Sequence, residues 1–288
     1  MEIFGIPIQA MMGQLLIGLI NGSFYALLSL GLAVIFGLLN IINFAHGAQY
    51  MLGAFGAYLL LNKLGLGYWW SLLVVPILVG ATGVVIERTM LKPLYKLDHL
   101  YGLLLTFGLA LIIQGLFRNE YGSTGLPYAI PEALQGGKNL GFMFLPNYRA
   151  WVIVASLVTC LSTWFVIEKT RLGGYLRAAT ENPQLVQAFG INVPRMITLT
   201  YGFGVALAAL AGVMAAPIYQ VSPQMGENLI IVVFAVVVIG GMGSIMGAIV
   251  TGFGLGLIEG LTKVFYPEAS TTVIFVIMTI VLLIRPAG

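Results

Sequence analysis

KTRLGGYLRAATENPQLVQAFGINVPR, residues 169–195, is the longest charged interruption in a chain that is otherwise largely apolar. It sets Lys169, Arg171, Arg177 and Arg195 against Glu181. Connections rich in Lys and Arg stay on the cytoplasmic side of a membrane, so this stretch is expected to face inward and to orient the segments on either side of it. Gly173-Gly174 is expected to break the preceding element, with residues 175–180 forming a turn or two of helix. Asn182-Pro183 then reads as a helix start, because Asn caps free N–H groups and Pro at the first position has no N–H to lose. Residues 183–189 would make a rod of about 10 Å, too short to cross a bilayer. Gly190 supplies a left-handed stop and Pro194 bars continuation. Leu185, Val186 and Phe189 give the rod an apolar side, Gln184 and Gln187 a polar one. It is either a knob presented to a soluble partner or an interfacial loop that only joins two spans.

The rest of the chain sets the context. Of 288 residues, 59% are hydrophobic and 8% charged, with mean hydropathy +1.00, where about a quarter would be charged in an ordinary soluble domain. Long apolar runs recur throughout. The expected fold is an all-α polytopic membrane protein forming one transmembrane domain over residues 1–288, with about eight or nine crossings. The net charge of +3 comes from basic residues at span ends and points away from nucleic acid. Cys160 is the one cysteine, which excludes an internal disulfide and a cysteine-based metal site. Residues 1–10 lack a basic leader and run into an apolar stretch too long for a cleaved signal.

Residues 11–39 form a first span with a polar stripe, Gln14, Gly18, Asn21, Tyr25 and Ser29, which must face protein or a water-filled path rather than lipid. Asn40, Asn43, His46 and Gln49 follow with no charged residue among them. A helix break inside the protein near 40–49 is expected there, with His46 either a satisfied core side chain or part of a path. Tyr68-Trp69-Trp70 reads as an interfacial aromatic belt. Glu87-Arg88, Lys92 and Lys96 close the third span with a basic, inward loop, and residues 100–117 make the fourth. Residues 119–148 form a long, weakly basic connection expected outside, either docking an extracytoplasmic partner or acting as a lid. The apolar run 229–239 covers about 17 Å, roughly half of a hydrocarbon core of about 30 Å. It meets Gly240, Gly241, Gly243 and Ser244. A broken or re-entrant segment over 228–244 is expected, or else a long hairpin with a glycine turn. Gly247, Gly252, Gly256 and Gly260 then form a small-residue ridge for close helix packing. Glu259 is expected to reach the interface, and Arg285 to hold the C-terminus inside, which leaves the N-terminus outside.

The chemistry that is missing narrows the function. No GxxxxGK[ST] occurs; Gly137-Lys138 lacks its first Gly and its Ser or Thr. No HExxH, CxxC or nucleophile elbow is present, and His46 and His99 are too few for a metal or haem centre. No paired intramembrane carboxylates of the proton-pump kind are evident. Any energy for transport therefore has to come from a partner.

Three stretches, INGSFYALLSLGLAVIFGLLNIINFAHGAQYMLGAF, RAATENPQLVQAFGINVPR and VVVIGGMGSIMGAIVTGFGLGLIEG, carry a family resemblance that extends over essentially the full length. The chain resembles the permease subunits of bacterial ABC importers for branched-chain amino acids, the Liv-type permeases, and within them the H-type subunit. The resemblance implies that residues 169–195 are the cytoplasmic segment that couples to ATPases, through Arg177, Glu181, Asn182, Pro183, Leu185, Val186, Phe189 and Gly190. The better-known importer pattern has Glu-Ala-Ala followed closely by Gly; here Arg177 precedes Ala178-Ala179 and the glycine comes at Gly190. The resemblance also implies a second homologous permease subunit, two ATPase subunits holding the ATP and Mg, and a periplasmic amino-acid-binding protein, assembled at the inner membrane. No cofactor and no catalytic residue are expected in this chain. Relatives for urea and short amides belong to the same family, so these are alternative substrates. The translocation path is expected near Asn21, Asn43, His46 and Gln49 and beside Gly240, Gly241, Gly243 and Ser244. Two rivals remain: a passive channel for a small neutral solute, which would transport without ATP, and a structural subunit of a redox complex, which would not copurify with an ATPase pair.

Overall fold

Apolar runs separated by Gly, Pro and Asn fold into helices α1 (Ile8–Leu39), α2 (His46–Leu64), α3 (Tyr68–Ile86), α4 (His99–Tyr121), α5 (Asn147–Lys169), α6 (Arg171–Glu181), α7 (Pro183–Ala188), α8 (Val193–Ala215), α9 (Met225–Gly240), α10 (Ile245–Phe265) and α11 (Val273–Ile284). The structure is a computed structural model that describes residues 2–3, 6–39, 42–141 and 143–285. Asn40 and the last three residues lie outside the described ones. Among the described residues, six helices are long and apolar enough to cross a membrane: Ile8–Gly37, Tyr68–Lys96, His99–Tyr121, Asn147–Lys169, Val193–Ala215 and Ile245–Phe265. The chain is therefore an all-α, multi-pass membrane protein. Helices α9 and α11 are apolar but shorter. Helix α2 carries His46, Gln49, Asn62 and Lys63 and is sheathed by protein, packing on α3, α8 and α9, so it has less need of a lipid-soluble surface.

Burial sorts the helices. The apolar window of α1 is 83% buried and that of α4 only 11%, so α1 is the central post and α4 a lipid-facing outer helix. Helix α10 runs antiparallel along α1, and α8 is wedged between α1, α2 and α3. These contacts are backbone against backbone. A Cβ on Gly252 would strike Ala26, one on Gly256 would strike Gly18 and Gly22, and one on Gly260 would strike Gln14 and Gly18. On α8, Gly202 faces Gly80, Gly204 faces Gly31, and Gly212 faces Tyr50 and Ala54. Without a hydrophobic drive between helices in lipid, such close approach supplies the dispersion energy that holds the bundle.

The two ends of the bundle differ. At one end α3, α5 and α8 meet through aromatic hydroxyls: Tyr148 donates to the Met214 carbonyl (2.9 Å) and lies 3.0 Å from the Tyr68 hydroxyl, which accepts from Trp151 Nε1 (3.1 Å). Trp69 and Trp70 point outward, as an interfacial belt does. Residues 122–146 cover this end with a short hairpin, Gly137–Asn139 on Phe144–Pro146, and Leu126 pairs with Val221. At the other end lie the close of α3, helices α6 and α7 and the start of α8, bringing together Arg88, Lys92, Lys96, Lys169, Arg171, Arg177 and Arg195.

Candidate functional site

Helices α6 and α7 fold back beneath α5 and α8. The chain breaks at Thr170, not at Gly173-Gly174; both glycines lie inside α6. Gly173 is needed for contact, since a Cβ there would run into the Ile167 carbonyl where α6 doubles back on α5. Arg177 secures that fold by donating to the Ile167 carbonyl (3.1 Å) and to Glu168 Oε2 (3.3 Å). Asn182 Oδ1 then accepts from the Leu185 N–H (3.0 Å) with Pro183 in the first position, and Gly190 ends the rod at φ 84°. Val186 is buried against Ala179 and Val193, with Ile191, Met196 and Ile197 around them, so α7 is seated on both α6 and α8. Leu185 and Phe189 are left bare, at 54% and 78% exposed, and Glu181 is also exposed. Asn182→Ala is expected to cost about 1 kcal/mol of cap energy, read as faster hydrogen exchange at the Leu185 amide with no change at α8.

The residues of the α1–α2 junction are enclosed. Asn43 Oδ1 accepts from the Ala45 N–H (3.1 Å), its Nδ2 donates to Gln49 Oε1 (3.1 Å), and His46 Nε2 sits 3.0 Å from the Leu28 carbonyl. All three side chains are essentially fully buried. They brace the start of α2 against the middle of α1 rather than line an open cavity.

Asn21 lies elsewhere. It borders a cavity of about 370 Å³ with Phe24, Tyr25, Tyr50, Tyr219, Gln220, Ser222, Met225, Asn228 and Leu229, between α1 and the start of α9. Behind this wall is a carboxylate. Glu259 is 4% exposed, so the expectation that it reaches the interface is corrected: α1 covers it. Its Oε1 accepts from Lys263 Nζ (2.5 Å) and Asn21 Nδ2 (3.3 Å), and its Oε2 from the Tyr25 hydroxyl (2.7 Å). Tyr219 donates to Asn21 Oδ1 (2.9 Å), extending the network to the cavity. Charge neutralised by Lys263 and hydrogen-bonded twice more can be buried without a prohibitive cost.

Gly240, Gly241, Gly243 and Ser244 make the turn from α9 to α10, with Ser244 Oγ accepting from the Gly247 N–H (3.0 Å). The turn abuts Gly37, near the C-terminal end of α1 and not its middle, and Gly247 abuts Gly240 across it. The structure thus separates the candidate path residues into three places: the enclosed junction, the cavity at Asn21, and this turn.

Glu87 belongs to a site that the sequence hid. It looks like the end of a span, yet it is 1% exposed and accepts from Thr198 Oγ1 (2.6 Å) and the Tyr95 hydroxyl (2.7 Å). No cation pairs with it among the described residues. It ties α3 to α8 one turn beyond the α7 seat. Glu87→Ala is expected to cost about 1–3 kcal/mol by leaving the Thr198 hydroxyl without its carboxylate, and Glu87→Gln less, read as the thermal midpoint in detergent.

The family model described as "Branched-chain amino acid transport system / permease component" matches residues 14–283. The chain belongs to this permease family. It is 30% identical to the high-affinity branched-chain amino acid transport system permease protein LivH of Escherichia coli (strain K12), over 96% of this chain and 94% of that one. To BraD of Pseudomonas aeruginosa, of the same description, it is 31% identical over 96% and 94%. To LivM of Escherichia coli (strain K12) it is 29% identical over 92% of this chain and 67% of the relative. No solved structure matches it.

Proposed function

We propose that this chain is the membrane subunit of an ATP-binding cassette importer for branched-chain amino acids, itself without catalytic activity. One organism has two relatives, LivH and LivM, named for the same transport system, which favours pairing with a second homologous permease. Two ATPases, holding ATP and Mg, dock on residues 169–195, and a periplasmic amino-acid-binding protein delivers substrate to the end covered by residues 122–146. The protein then lies in the inner membrane with its N-terminus outside and its C-terminus in the cytoplasm.

The observation that carries this reading is α7: a capped rod, anchored by Val186, with Leu185 and Phe189 bare. Closure of the ATPases presses on those side chains. The push reaches α8 through Val186 and Val193, and α8 lies backbone to backbone against α1, α2 and α3. Helices packed so closely move as rigid bodies, so the push becomes a rocking of the bundle. The path runs along the cavity at Asn21, completed by the second permease.

The test is reconstitution of the four membrane and ATPase subunits with loaded binding protein in proteoliposomes. Labelled leucine should accumulate only with ATP. Uptake that proceeds equally without ATP would sink the importer reading in favour of a channel.

A further inference from the structure

Between α2, α4 and the first turns of α9 lies a second cavity, of about 120 Å³. That is several times the ~10–15 Å³ a cavity needs to hold one water, room for an aliphatic side chain. Its walls are Phe44, Phe107, Ala110, Leu111 and Ile230. Phe44 is fixed by ring contacts to Phe107 (6.1 Å between centroids) and Phe234 (4.7 Å). Its floor is the close contact of Gly47 with Gly226, where a Cβ on either would strike the other's backbone. One end is polar. Gln114 Nε2 donates to Glu227 Oε2 (2.9 Å) and to the Pro223 carbonyl (3.1 Å).

Glu87 is enclosed with Thr198 and Tyr95, so its carboxylate is closed to any ligand. Glu259 has Lys263, whereas Glu227 has no cation partner among the described residues and is exposed. An unpaired carboxylate beside apolar helices is costly, unless a cation arrives there. Asn228, the next residue, belongs to the cavity at Asn21, so the two cavities flank one short exposed ridge of α9.

We propose that this second cavity is the side-chain subsite of the path, holding the aliphatic group of a transported amino acid while Glu227 receives its α-ammonium. The proposal rests on the importer reading given above. The substrate carboxylate then points across the ridge to Gln220, Ser222 and Asn228, which supply uncharged donors. A single carboxylate with a small apolar hollow suits a relay site: it selects an aliphatic zwitterion without holding it tightly. The apolar walls favour leucine, isoleucine and valine over polar side chains, and the carboxylate disfavours acidic ones.

The test uses the reconstituted complex with loaded binding protein, reading leucine uptake, valine uptake and ATPase stimulation together. Glu227→Gln keeps the hydrogen bond to Gln114 within reach but loses the charge. Leucine uptake should fall about tenfold, the scale of one charge-assisted hydrogen bond, with stimulation kept. Ala110→Leu fills the hollow and should lower the leucine-to-valine uptake ratio about fivefold by excluding the longer chain. Leu104→Ala, on α4 but outside the cavity, should leave all three unchanged. Wild-type uptake in both Glu227→Gln and Ala110→Leu would overturn the proposal while leaving the importer reading intact. Loss of stimulation together with uptake in Glu227→Gln would also overturn it, assigning that side chain to assembly. Absence of ATP-driven leucine uptake by the wild type would bring down the importer reading and this proposal with it.

Discussion

Phe189→Asp is expected to abolish ATP-driven leucine uptake while the protein still inserts and purifies as a folded bundle. Phe189 is 78% exposed, so the fold has little to lose. A docked ATPase would have to bury it. Replacing a buried apolar anchor at an interface by a charge removes about 2–4 kcal/mol of binding, or roughly 30- to 1,000-fold in affinity. The measurement is copurification of the ATPase pair from detergent, with uptake read in parallel. Leu185→Asp should behave alike, because the same helix face presents it. Val186→Ala should act differently: it loosens α7 from Ala179 and Val193, so the ATPases should remain bound while uptake falls. ATPase capture and uptake at wild-type level in Phe189→Asp would rule out α7 as the docking element.

Gly256→Ala is expected to destabilise the protein strongly. Its Cβ would meet the Gly18 carbonyl and the backbone of Gly22, and backbone cannot rotate aside as a side chain can. Gly254 provides an internal control. It lies in the same helix, and a Cβ there has nothing within 4 Å. Both substitutions gain the same helix propensity, up to about 1 kcal/mol, so their difference isolates the cost of parting α1 from α10. Gly254→Ala should raise the thermal midpoint slightly or leave it. Gly256→Ala should lower it by about 1–3 kcal/mol of stability, the usual cost of overpacking, and Gly256→Leu should yield no folded protein. Equal midpoints for the two alanine variants would show that the ridge is not a packing surface.

Much of this molecule could be read along the chain, because the governing physics is local. Long apolar runs must become helices in lipid, since every backbone N–H and C=O needs a partner within its own segment. The rod at Pro183–Ala188 was legible for the same reason: an Asn cap, a Pro in the first position and a stopping Gly all act within a few residues. The burial of Val186 beside the exposure of Phe189 was not, because both are apolar and only the seat on α6 and α8 tells them apart.

The polar residues show the boundary most clearly. Asn21, Asn43, His46 and Gln49 stand out equally in an apolar sequence, yet the structure encloses three of them and leaves Asn21 at a cavity. Glu87 meets Thr198 across 111 positions, Glu259 meets Tyr25 across 234, and Gln114 meets Glu227 across 113. No spacing rule reaches so far. Sequence by itself determined that the chain is a helical membrane protein with a capped, charged segment between two spans. Only tertiary structure decided which carboxylates are paired, which glycines touch and where the cavities open, because each depends on helices that meet through close packing rather than along the chain.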